Sequence, residues 1–87
     1  MSNENNLPVT VYSKPRCVQC DATYRFLKKH KIRYRSIDVS QDQVALDMIA
    51  KMGYQQAPVV IVPFDYDVSV HHWSGFDPDN LKQLIVA

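Results

Sequence analysis

The chain has two cysteines, and both belong to a single C-x-x-C, Cys17-Val18-Gln19-Cys20, placed where one sequence pattern gives way to another. Before it, Val9-Thr10-Val11-Tyr12 is rich in β-branched and aromatic residues and stops at Ser13-Lys14-Pro15, a strand followed by a turn. After it, Ala22, Phe26 and Leu27 recur at helical spacing as far as His30, with Tyr24 partly exposed. The pair is thereby confined to the first turn of a helix that leaves the end of a strand. Residues three apart on a helix lie about 5–6 Å from one another, within the Cα separation that a disulfide accepts. The rest of the chain has to supply the sheet around that junction.

It does so in alternating elements with short connections. Tyr34, Ile37 and Val39 alternate with Arg35, Ser36 and Asp38 as a second strand. Ser40 is expected to N-cap a second helix whose stripe is Val44, Ala45, Met48, Ile49 and Met52, with Gly53 just past its end. Pro58-Val59-Val60-Ile61-Val62 is a continuous apolar run, the mark of a strand covered on both faces. Asp65 and Asp67 flank the next turn, and Val68 to Trp73 alternates as the partner strand of a hairpin. Asp77-Pro78 opens a last helix with proline at its first position, and Leu81, Leu84 and Ile85 face inward. The order β-α-β-α-β-β-α predicts an α/β domain, a four-stranded mixed sheet flanked by three helices in the thioredoxin-like manner.

Size and charge exclude several classes of function. At 87 residues the chain has room for one domain, expected over residues 8–87 after a flexible segment at 1–7. That opening, MSNENNL, has neither a basic nor an apolar region of the kind a signal peptide needs. No run of about 18 apolar residues predicts a membrane span. Formal charge is +1 with scattered cations, so no nucleic-acid footprint is visible. The densest positive run, Lys28-Lys29-His30-Lys31, reads as a solvated helix end. A monomer in the cytoplasm is the expectation, and there a permanent disulfide is disfavoured.

Four readings of the cysteine pair compete. As a staple, a loop this short removes only about 2 kcal/mol of unfolded-chain entropy. As a zinc site it needs two more ligands, and the available histidines, His71 and His72, are strand neighbours that point to opposite faces. An inert pair is disfavoured by its place between a strand and a helix. Redox exchange suits the position best. The helix dipole and unpaired amides stabilise a thiolate at Cys17, the attacking sulfur, while Cys20, one turn inside, keeps its proton and later resolves the mixed disulfide.

Three stretches, "VYSKPRCVQCDAT", "GYQQAPVV" and "HWSGFDPDNL", make the sequence resemble the glutaredoxin-like NrdH-redoxins from Val9 to about Leu84. The resemblance implies a cis-proline at Pro58 beside the cysteines, with the Ala57 backbone open to an extended substrate segment. It implies that Trp73, Ser74, Gly75 and Phe76 shape the surface near the pair; Lys14, Pro15, Val18 and Gln19 are expected to meet the partner there too, the Lys14 charge also helping to stabilise the thiolate. Members of that family take electrons from NADPH through the flavoenzyme thioredoxin reductase. They deliver them to the large subunit of class Ib ribonucleotide reductase, and hold no bound cofactor or metal. The alternative is a glutathione-dependent dithiol glutaredoxin. Against it, Phe76-Asp77-Pro78-Asp79 puts two carboxylates and a proline where glutaredoxins cradle an anion. Trp73 and Phe76 are expected to offer apolar contact instead.

Two features depart from the family pattern. Asp77 stands where an arginine is usual, an arginine thought to tie the W-S-G-F segment to the second helix, and is expected to serve as an N-cap. The hairpin stretch "VPFDYDVSVHH" also looks longer than is typical, which costs little stability but alters the surface near a partner.

Overall fold

The computed structural model describes residues 9–63 and 70–84. The elements are β1 (Thr10–Ser13), α1 (Val18–Lys29), β2 (Arg35–Asp38), α2 (Gln43–Lys51), β3 (Val59–Pro63), β4 (Val70–Ser74) and α3 (Pro78–Leu81), the last running into a 3₁₀ turn at Lys82–Leu84. The sheet order is β2-β1-β3-β4, with β1 parallel to β2 and antiparallel to β3, and β3 antiparallel to β4. This is the expected thioredoxin-like fold, a four-stranded mixed sheet with three helices. The segment 1–8, the hairpin stretch 64–69 and Ile85 lie outside the described residues.

Because strand side chains alternate between faces, the two central strands build two cores. Val9, Val11, Val60, Val62 and Trp73 point to one face, where Leu27 of α1 and Leu81 of α3 cover them. Val59, with half-buried Tyr12 and Ile61, points to the other, under Ala45 and Ile49 of α2. Tyr24 fastens α1 to the sheet: its hydroxyl lies 2.7 Å from Ser13 Oγ on β1 and 2.6 Å from Ser36 Oγ on β2. The first helix is thus held over the end of β1 by both packing and hydrogen bonds.

Two local expectations are corrected. The N-cap of α2 is Asp42, not Ser40; its carboxylate accepts from the Ala45 N–H at 3.0 Å. Ser40 belongs to a turn wound on Asp38, whose Oδ1 accepts from the Ser40 N–H at 2.9 Å and its hydroxyl at 2.6 Å. The stripe of α2 is also narrower than expected. Ala45 and Ile49 are buried, whereas Val44 is 80% exposed and Met48 is exposed as well. Gly53 follows the Met52 C-cap with φ +95°, as a glycine ending a helix should. At α3 the expected cap holds: Asp77 is the N-cap and Pro78 the first helical residue.

Candidate redox site

Cys17 is itself the N-cap of α1. Its backbone is extended (φ −113°, ψ 105°), and its Sγ takes the role of a capping oxygen by accepting from the Cys20 N–H at 3.1 Å. The Cys17 carbonyl accepts from the Asp21 N–H at 3.0 Å and starts the helical ladder. Arg16, just before, has φ 60°, in the left-handed region that costs a residue with a Cβ roughly 1–2 kcal/mol. That left-handed residue lies in the turn joining β1 to α1. No sequence signal marks it, because arginine has no preference for this conformation.

Cys17 and Cys20 form a disulfide with Cα atoms 5.1 Å apart. Cys17 is 8% exposed and Cys20 only 1%, so access from outside runs through Cys17. On reduction, the helix dipole and the Cys20 amide favour negative charge on Cys17.

Two distant segments complete the site. The Ala57–Pro58 bond is cis, and the Ala57 carbonyl oxygen lies 3.6 Å from Cys17 Sγ. The Pro58 carbonyl accepts from the Gly75 N–H at 2.8 Å. The next amide, Phe76 N–H, donates to Gln19 Oε1 at 2.8 Å. Gly75 has φ +80°, and a Cβ there would stand 3.0 Å from that same Gln19 oxygen. The C-x-x-C, the cis-proline and the Gly75-Phe76 turn therefore form one continuous patch.

The expected site residues separate within it. Val18 is 79% exposed and Phe76 is 37% exposed, so apolar surface beside the disulfide is theirs. Lys14, Pro15 and Ser74 are exposed, Ala57 and Gly75 half-buried, and Pro58 buried. Trp73 lies in the core. Paired with Val60 across the hairpin, it follows that residue into the core and is 7% exposed. His72 is exposed and meets the Tyr54 hydroxyl through its Nδ1. Among the described residues no three of His, Cys, Asp and Glu come together to hold a metal, and no helix is long and apolar enough to cross a membrane.

Asp77 turns its carboxylate onto its own helix start, Oδ1 accepting from the Asn80 N–H at 3.1 Å and Oδ2 from Asn80 Nδ2 at 2.8 Å. The turn at 75–76 is tied instead to α1 and to the cis-proline, through backbone amides. Beyond Phe76 a groove of about 690 Å³ opens along α1, lined by Ala22, Phe26, Arg25, Lys28 and Lys29.

The site is thus a cysteine pair at the start of the first helix, beside a cis-proline just before an antiparallel strand. The glutaredoxin family profile matches residues 9–65. The chain belongs to the glutaredoxin family. Within that family the redoxin is an NrdH-like protein. It is 36% identical over 76 residues to the glutaredoxin-like protein NrdH of Escherichia coli K12, covering 87% of this chain and 86% of the relative. To the protein of the same description in Lactococcus lactis subsp. cremoris it is 34% identical, covering 87% of this chain and 97% of that one. The solved NrdH-redoxin from Escherichia coli, described as glutaredoxin-like with a thioredoxin-like activity profile, superposes with a TM-score of 0.79 at 33% identity. That superposition covers 91% of this chain and 96% of the other.

Proposed function

We propose that this redoxin carries electrons from NADPH, through thioredoxin reductase, to the large subunit of class Ib ribonucleotide reductase. The observation that carries the reading is the start of α3. A glutathione carboxylate would need free amides there, but Pro78 has none to give, the Asn80 amide is already taken by the Asp77 carboxylate, and that carboxylate repels a second anion. The thioredoxin-like activity profile of the Escherichia coli relative supports the same choice.

Exchange proceeds in two balanced steps. The Cys17 thiolate attacks one sulfur of the partner's disulfide, forming a mixed disulfide and expelling the other sulfur as a thiolate. Cys20 then gives up its proton and attacks Cys17, releasing the second partner thiolate and closing the Cys17–Cys20 disulfide. Two electrons have moved to the partner, and the reductase restores the dithiol. The Cys20 N–H, 3.1 Å from Cys17 Sγ, stabilises negative charge on that sulfur as attacker and as leaving group. An extended partner segment pairs with the Ala57 backbone, while Val18 and Phe76 supply apolar contact. In this reading the protein works as a cytoplasmic monomer and the cysteine pair is its whole redox equipment, with no bound cofactor.

NADPH consumption coupled to insulin reduction tests it, with thioredoxin reductase in one arm and reduced glutathione plus glutathione reductase in the other. Turnover is expected with thioredoxin reductase alone. Turnover with glutathione alone would make the protein a glutathione-dependent glutaredoxin and overturn the reading of the α3 start.

A further inference from the structure

We propose that Gln19 is a positioning residue: its side-chain carbonyl clamps the Gly75-Phe76 turn, so that Phe76 stands at a fixed place where a partner's disulfide-bearing segment arrives. The inference rests on the exchange reaction above but not on which reductant drives it. A backbone N–H points at the Gln19 amide, so the atom facing it is the oxygen, at 2.8 Å. The bond joins residues 57 apart in sequence, and one of them lies between the two redox cysteines.

Gly75 completes the clamp. Its φ of +80° suits glycine, and a Cβ would press on the Gln19 oxygen at 3.0 Å. Two successive amides of the turn are thus held, Gly75 by the Pro58 carbonyl and Phe76 by Gln19. Phe76 is 37% exposed and borders the groove along α1, so fixing its backbone fixes one wall of the surface next to the disulfide. Gln19 is exposed, yet its acceptor is engaged by the protein's own Phe76 amide, so it acts on the partner through Phe76.

Two variants separate this role from direct contact. Gln19→Met keeps the length and removes the acceptor, whereas Gln19→Glu keeps an acceptor oxygen and removes the amide donor. Insulin reduction is driven by dithiothreitol, with its direct reaction subtracted, at a pH on the plateau of each variant's own activity profile. KM and kcat are read separately, and hydrogen exchange of the Phe76 amide is followed by NMR. Loss of one hydrogen bond in Gln19→Met is expected to raise KM about fivefold, hold kcat within about twofold and speed Phe76 exchange. Gln19→Glu is expected to restore both KM and exchange. An unchanged KM in Gln19→Met, or an unchanged Phe76 exchange rate, overturns the proposal. So does an equal rise in KM for both variants, which would put the Gln19 amide group on the partner itself. Failure of the electron route would appear separately, as wild-type protein that thioredoxin reductase does not turn over.

Discussion

At residue 17 a sulfur does what a hydroxyl or carboxylate oxygen does at most helix starts. Serine is a good N-cap, so Cys17→Ser should fold normally while losing all turnover in the coupled assay. Cys20→Ser should accumulate mixed disulfides with protein substrates, visible as slow bands on non-reducing gels; full turnover by this variant would exclude the two-cysteine mechanism. The two glycines offer a sharper comparison, since both have positive φ but different surroundings. A Cβ at Gly53 meets nothing within 4 Å, and one at Gly75 meets Gln19. Gly53→Ala and Gly75→Ala should each lower stability by about 1–2 kcal/mol from backbone strain, read as a shift in the urea midpoint. Only Gly75→Ala should also weaken insulin reduction. The pairing of Gln19 with Phe76 was invisible in the sequence, because no local pattern encodes a contact between residues so far apart. The cysteine pair and Pro58 were visible because each depends on a neighbouring strand or helix boundary.

Among the elements, α2 shows where periodicity stops being informative. Ser40 and Asp42 are both competent caps, two residues apart, and sequence alone does not rank them. The choice is made by Asp38: its side chain draws Ser40 into a turn, and the Gln41 N–H bonds to the Asp38 carbonyl at 3.1 Å. The helix can begin only after that turn, so Asp42 takes the cap. Asp42→Ala should therefore cost about 1 kcal/mol in chemical denaturation, and Ser40→Ala clearly less. Packing under α2 is equally selective: Ala45 and Ile49 meet the sheet while Val44 and Met48, one position back, are rotated outward. The strands were more legible. Alternation in β1, the continuous apolar run of β3 and the proline at the start of α3 are each dictated by one local constraint.

At the scale of the whole molecule, the sheet divides the protein into a redox side under α1 and α3 and a plainer side under α2. Tyr12 belongs to the plainer side. Burial pushes its phenol above the ordinary tyrosine range, with the Arg35 charge opposing and the Asp42 carboxylate adding to the rise. The folded state therefore holds this proton to higher pH than the unfolded chain does. Its contribution is complete below the unfolded value of 10.0 and is lost as pH climbs through the higher folded value. Urea midpoints measured between about pH 8 and about pH 11 should fall more steeply for wild type than for Tyr12→Phe.

The patch described above draws on residues 17–20, 57–58 and 75–76, so it spans most of the polypeptide. During synthesis the dithiol leaves the ribosome long before the turn that frames it. A nascent chain therefore carries the two thiols without the surface that frames them, open to any oxidant it meets. The patch is assembled only once residues 75–76 are also available to fold, which ties the finished redox surface to a late stretch of the sequence.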